Sequence, residues 1–296
     1  MSHFQHVHES YRHVMALGER ERVDFLETQR WIGYPVAARI LDRLERLLRQ
    51  PKRTRMQSLL IVGESNNGKT TLIERFLETA GQPSVDENND PVKPVLLVES
   101  PPGADEKGLY LSILDRFHAP HRASDPVSKL RYQVLHLCRA CHVRMLVVDE
   151  FHSLVSGTGS KQREVMNVIK FLCNELAVPI VGAGTREAVR ALHHDPQHAS
   201  RFDVMELPLW TLDKDFQRML ASIEKTLPLK NPSKLSQPAL ARPLHYISQG
   251  NLGNLLRLLN ECATEAIESG SEAIDQKIIE NNKWVRPTAG IRERIG

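Results

Sequence analysis

Residues 63–70 read Gly63-Glu64-Ser65-Asn66-Asn67-Gly68-Lys69-Thr70, the pattern G-x-x-x-x-G-K-T. Before it stands Ser58-Leu59-Leu60-Ile61-Val62, an apolar run typical of a buried strand. After it, Thr71-Leu72-Ile73-Glu74-Arg75-Phe76-Leu77 has helical spacing. A glycine-rich loop between strand and helix is the context in which this pattern cradles phosphate. The glycines let several backbone N–H groups face one point, and the helix N-terminus adds partial positive charge there. Lys69 is placed to reach the β- and γ-phosphates, and Thr70 to put its hydroxyl on Mg²⁺. Gly63 through Thr71 (Gly63, Glu64, Ser65, Asn66, Asn67, Gly68, Lys69, Thr70, Thr71) form the expected nucleotide-binding set.

Working outward, a second signature comes about eighty residues later. Arg144-Met145-Leu146-Val147-Val148-Asp149-Glu150 is an apolar strand ending in two carboxylates. Such a strand delivers Asp149 to the Mg²⁺ side of the phosphates, and Glu150 stands where it can deprotonate an attacking water. A further strand, Val178 to Gly184, ends at Thr185. That hydroxyl either bonds the γ-phosphate or the water, or caps the helix from Arg186 onward. Pro94–Ser100 and Val204–Leu207 complete five strands, with helices expected near 106–117 and 127–142. Repeated strand and helix, with the ligand loops at strand C-termini, imply α/β architecture around a parallel sheet. The stretch Gly81 to Pro91 reads as a polar loop.

The remaining chain frames this core. Residues 1–55 read as helical, amphipathic over Ala38–Leu48 with arginines on the wet face. The histidines at 3, 6, 8 and 13 lack partners at ligand spacing, so a mobile terminus is expected. Trp31-Ile32-Gly33-Tyr34-Pro35 is a turn that either cradles a base or packs a helix on the core. From Asp213 the strand signal stops, and helices near 213–225, 236–249, 252–269 and 272–282 imply a small all-α region. The expected divisions are a helical segment over 1–55, the α/β core over 56–210, an α-helical lid over 211–283 and a basic tail over 284–296.

Composition narrows the classes. The chain has 296 residues, a net charge of +3 and four cysteines. A nucleic-acid site must therefore be a local patch rather than a basic domain. No apolar run approaches the ~20 residues of a membrane helix. Met1-Ser2-His3-Phe4-Gln5-His6 has no apolar core, so no signal peptide is expected and a reducing cytoplasm fits. Two short motifs mislead. Cys138-Arg139-Ala140-Cys141-His142 matches a haem-attachment pattern and offers zinc-type cysteines. It lies on a helix feeding a strand, where cysteine is a small apolar filler. Asp149-Glu150-Phe151-His152 reads D-E-x-H, as in one class of helicases, but the residues after the fifth strand read as helical, so a second recombinase-like domain is not expected in them.

A P-loop α/β core with a helical lid resembles the AAA+ ATPases. More narrowly, Met56 to Thr70, then Val147-Val148-Asp149-Glu150-Phe151-His152, then Val181-Gly182-Ala183-Gly184-Thr185-Arg186-Glu187-Ala188, resemble the TniB/TnsC-type transposition ATPases from about residue 28 to 280. The resemblance implies a protein that oligomerises on duplex DNA with ATP and Mg²⁺. It would mark a target, recruit a DDE-type transposase and a TniQ-like targeting protein, and leave when ATP is hydrolysed. It implies Lys69 and Glu150 as catalytic, Thr70 and Asp149 as Mg²⁺ ligands, and Thr185 as a sensor. Arg201, in Ser-Arg-Phe, would be a finger reaching a neighbouring copy's γ-phosphate, with a structural ion pair as its alternative. Trp31, Ile32, Tyr34 and Pro35 fall on the adenine side. Gly250-Asn251-Leu252-Gly253 departs from the lid pattern by having glycine where an arginine is usual, and Arg257, one turn later, is the substitute. Lys107, Arg122, Lys129, Lys161 and Arg163 are the cations expected in axis-facing loops, where phosphate contact is salt-dependent and blind to sequence. Two other readings stand beside this one: another AAA+ machine such as a helicase or initiator loader, and a nucleotide-gated scaffold on DNA.

Overall fold

A computed structural model describes residues 4–53, 55–193 and 200–281. The basic tail, the first three residues with His3, and His198-Ala199 lie outside the described residues. Two compact units are present, Pro35–Pro208 and Met1–Tyr34 with Leu209–Gly296. The stretch 1–55 is thus shared between them.

The first unit is an α/β sandwich. In chain order it contains α2 (Pro35–Arg49), β1 (Ser58–Gly63), α3 (Lys69–Ala80), β2 (Ser84–Val85), β3 (Pro91–Val92), β4 (Val95–Glu99), α4 (Glu106–Arg116), α5 (Val127–Ala140), β5 (Met145–Asp149), α6 (Phe151–Leu154), α7 (Gly159–Leu176), β6 (Ile180–Gly184), α8 (Arg186–His193) and β7 (Phe202–Leu207). The main sheet has the order β4-β5-β6-β1-β7, and each of its neighbouring pairs is parallel. All residues of β1, β5 and β6 are buried, as expected for strands covered by helices on both faces. The expected five-stranded parallel sheet is therefore present. In α2 the buried positions are Ala37, Ile40, Leu44, Leu47 and Leu48, a stripe at helical spacing facing α3 and β7.

The polar stretch after α3 is a hairpin, not a plain loop. Ser84 pairs with Val92 and Val85 with Pro91, and the Asp86 carboxylate accepts from the N–H groups of Asn88 and Asp90. Two residues per strand are too few to show periodicity. The four cysteines are buried, and burial pushes the Cys138 thiol up to about 12, as befits filler. Among the described residues no helix is long and apolar enough to cross a membrane.

The second unit is helical: a 3₁₀ turn (Glu9–Ala16), α1 (Glu19–Leu26), α9 (Lys214–Glu224), α10 (Pro238–Ser248), α11 (Leu252–Glu268) and α12 (Gln276–Asn281) around its own core. Two of the N-terminal histidines make defined contacts in this unit, where a mobile terminus was expected. His6 Nε2 lies 2.9 Å from the Leu229 carbonyl, and the His8 N–H donates to Lys225 O. Arg30 donates to Thr226 O and to the Asn260 side chain.

The strongest tie is ionic. Arg22, 1% exposed, donates two hydrogen bonds to Glu272 at 2.7 and 2.8 Å, and Lys230 adds a contact at 2.7 Å. Burial alone raises the Glu272 carboxyl; the Arg22 and Lys230 hydrogen bonds outweigh it and hold the group at about 2. Its ordinary value is 4.5, so folding favours the ionised form. The stabilisation is full above pH 4.5 and is lost as pH falls from there towards 2. Glu272→Ala leaves Arg22 buried without its partner and is expected to cost roughly 3–5 kcal/mol. Chemical denaturation followed by tryptophan fluorescence checks this, since Trp31 and Trp210 lie in this unit. An unchanged midpoint, or an acid sensitivity equal to that of the unaltered chain, contradicts it.

Candidate functional site

Because the strands are parallel, the C-terminal ends of β1, β5 and β6 share one sheet edge, and the P-loop, Asp149-Glu150 and Thr185 are all delivered there. Gly68 caps α3 with φ 84°, a conformation that favours glycine. Asn67 braces the loop: it is 3% exposed and its amide donates to Leu207 O at 2.9 Å and Pro208 O at 3.2 Å. Glu64, Ser65 and Asn66 are exposed at the loop's crest. Gly63 ends β1 against Leu207, where an added Cβ would stand 3.0 Å from the carbonyl oxygen. Thr71 follows in the first turn of α3 and is half-buried.

Lys69 is only 6% exposed, and its Nζ donates to Gly63 O at 3.0 Å and Glu64 O at 2.9 Å. Burial lowers its pKa, opposed by the nearby charges of Glu150, Asp149 and Glu64, in that order. The Thr70 hydroxyl donates to Asp149 Oδ2 at 2.7 Å, across the width of β6. The other Asp149 oxygen accepts the Glu150 N–H at 2.8 Å. A hydroxyl beside a carboxylate is a hard-oxygen pair, and Mg²⁺ commonly takes one or two such groups plus substrate phosphates. Among the described residues no cluster of three or more acidic, histidine or cysteine side chains could hold a metal unaided. The donor set therefore fits a Mg²⁺–triphosphate and not a self-sufficient metal centre.

Glu150 sits in the left-handed region, φ 52° and ψ 37°, at the junction of β5 and α6. The turn aims the chain so that the next residue, Phe151, plunges into the core at 0% exposure. Its ring lies on Gly182 of β6, where a Cβ would come within 2.7 Å of the ring and 2.9 Å of Leu60. Thr185 donates to Glu187 Oε2 at 3.2 Å, within the start of α8.

The other predicted residues lie elsewhere. Arg201 precedes β7, and its carbonyl accepts from Ser58 at the start of β1. It is separated from the P-loop by the length of β1, roughly 17 Å. Its guanidinium donates to Asn174 Oδ1 at 2.9 Å, a hydrogen bond to a neutral partner. Lys107 and Lys129 are in the first turns of α4 and α5, the helices expected there; Lys161 and Arg163 are near the start of α7, where a loop was expected; Arg122 lies in the connection before α5. Lys129 is paired with Asp125 at 2.9 Å. In the helical unit, Tyr34 packs edge-on against Trp210, and burial pushes its hydroxyl up to about 12. Ile32 packs against the same core. Trp31 lines a cleft of about 300 Å³ with His8, Tyr11 and Lys225. Pro35 opens α2 in the other unit. Arg257, on α11, pairs with Glu261 at 3.3 Å.

The family model described as Bacterial TniB protein matches residues 22–212. The chain belongs to the TniB family. Among solved structures, this TniB-family chain is similar to the Aeropyrum pernix ORC2 protein in ADPNP and ADP complexes, at 14% identity and a TM-score of 0.65, over 91% of this chain and 74% of that one. It is similar to Cdc6p from Pyrobaculum aerophilum, at 14% identity and 0.60, over 85% and 68%. It is also similar to the Aeropyrum pernix ORC1 protein in complex with DNA, at 17% identity and 0.56, over 93% and 69%. At such identities the likeness establishes the AAA+ fold. No curated protein matches the chain in sequence.

Two site features escaped the motif reading: the Asn67 brace and the Phe151–Gly182 contact. The D-E-x-H and G-A-G strings held their residues, but only the fold shows that they touch. Gly182→Ala is expected to force Phe151 off β6 and destabilise the sheet unit by about 1–3 kcal/mol. Denaturation monitored by far-UV circular dichroism measures it, and a wild-type midpoint rules the wedge out.

Proposed function

We propose that this TniB-family protein is an ATP-dependent regulator of DNA transposition. It assembles on duplex DNA with ATP, marks a target, recruits a DDE-type transposase together with a TniQ-like partner, and disassembles on hydrolysis. The observation that carries this reading is the convergence of Lys69, Thr70, Asp149 and Glu150 on one sheet edge in a chain of that family. The A. pernix ORC1 protein, on the same fold, was solved in complex with DNA, which favours DNA association.

The P-loop N–H groups and Lys69 bind the β- and γ-phosphates of ATP. Thr70 and Asp149 hold Mg²⁺, which supplies neutralisation of phosphate charge. Glu150 takes a proton from water as the water oxygen bonds to the γ-phosphorus, while the bond from that phosphorus to the β–γ bridging oxygen breaks and ADP leaves. Thr185 orients that water or the γ-phosphate. A strand's length from its own P-loop, Arg201 serves the site of an adjoining copy, and such a finger contributes about 10³–10⁵ in rate. Homo-oligomerisation is then part of the active site. Trp31, Ile32, Tyr34 and Pro35 take the adenine side and Arg257 the lid contact. Lys107, Arg122, Lys129, Lys161 and Arg163 contact DNA phosphates, so binding weakens steeply with salt. We place this activity in the cytoplasm, where DNA and ATP are at hand.

Three variants test the scheme with ATP, Mg²⁺ and duplex DNA. Lys69→Ala is expected to lose nucleotide binding and DNA-dependent assembly. Glu150→Gln is expected to bind and assemble but to hydrolyse about 10²–10⁴-fold more slowly and to persist on DNA. Arg201→Ala is expected to bind nucleotide yet lose hydrolysis, and mixing it with Lys69→Ala restores activity at shared interfaces. Electron microscopy, phosphate release and an insertion assay read these outcomes. Should Lys69→Ala still coat DNA and direct insertion, the reading fails.

A further inference from the structure

The Glu150 carboxylate has a neighbour that the nucleotide chemistry does not use. His152, on the first turn of α6, places Nε2 3.3 Å from Glu150 Oε2. Its other ring nitrogen, Nδ1, is buried with no hydrogen-bond partner among the described residues. The residue stands against the end of β6: a Cβ on Gly184 would lie 3.0 Å from the His152 backbone nitrogen and 3.4 Å from Nδ1. A side chain at Gly184 would press on the histidine and shift it by a few tenths of an ångström. Gly184 is followed directly by Thr185. The histidine is thus wedged between the strand tip and the carboxylate, and it is 23% exposed while Glu150 is 46% exposed.

This arrangement answers a mechanical need. Glu150 follows a left-handed turn, and its side chain is half open to solvent. Left alone, such a carboxylate samples several rotamers, and a general base misplaced by about 1 Å loses on the order of 10²-fold in rate. We propose that His152 is a positioning residue for Glu150: braced by Gly184, it holds the carboxylate toward the phosphate side and links it to the strand end that carries Thr185. The inference rests on the proposal that Glu150 activates water.

The test uses the full chain with ATP, Mg²⁺ and DNA. His152→Ala is expected to lower kcat about 10- to 100-fold while changing the KM for ATP less than about threefold. His152→Gln, whose amide nitrogen reaches the same place, is expected to recover most of the rate. Gly184→Ala displaces the histidine from the other side and is expected to lower kcat similarly, with little further effect when combined with His152→Ala. An unaltered kcat in His152→Ala, no recovery with Gln, or additive losses in the double variant overturns the proposal. A second measurement needs no turnover: the ¹⁵N resonance of His152 Nε2 is expected to move in Glu150→Gln. If the wild-type chain hydrolyses normally and that resonance stays still, the positioning role alone falls. If the wild-type chain shows no turnover but the resonance moves, the hydrolysis reading falls and the anchoring of Glu150 stands.

Discussion

An almost fully buried ammonium sets the terms at the functional edge. Lys69 is held by two carbonyl oxygens, Gly63 O and Glu64 O, and not by a carboxylate in direct contact. Carbonyl dipoles compensate a buried cation less well than a full negative charge does, and its lowered pKa records the shortfall. The fold accepts this cost because the loop is braced elsewhere. Asn67 ties it to Leu207 and Pro208, and Thr70 ties the following helix to Asp149. These ties hold the loop and the first turn of α3 in place around the buried cation.

The opposite end of β1 carries the complementary consequence. Arg201 begins the edge strand β7 beside Ser58, and no rotamer of an arginine spans the strand back to Lys69. On the finger role proposed for Arg201, the site it serves is therefore that of another copy, because Arg201 and Lys69 lie at opposite ends of β1. Heterologous contact of that kind would repeat head to tail, giving rings where the rotation closes and helices where it does not.

Much of the sheet unit was legible because its strands are buried on both faces and so spell continuous apolar runs, as in Leu59–Val62 and Leu146–Val148. The P-loop and Asp149 were legible because phosphate and Mg²⁺ demand fixed residue types at fixed spacing. Other features had no local signal. Arg22 and Glu272 are of types usually found on surfaces, and they meet across 250 positions of chain. The hairpin at 84–92 has strands too short for alternation. The αL turn at Glu150 leaves no mark in composition. Lys161 and Arg163, expected in a loop, lie near the start of α7, a helix the sequence reading did not place.

The clasp between the first thirty-odd residues and the last helices also bears on biogenesis. Residues 35–208 are one uninterrupted span and can complete their own core while still attached to the ribosome. The helical body cannot, because Arg22 waits for Glu272 and His6 for Leu229. The segment that carries Arg22 must stay unsatisfied until Glu272, 250 positions later, has emerged, which gives that body the longer loop-closure cost and the slower assembly. Newly made chains thus pass through a stage in which the nucleotide edge is finished and the helical body is not.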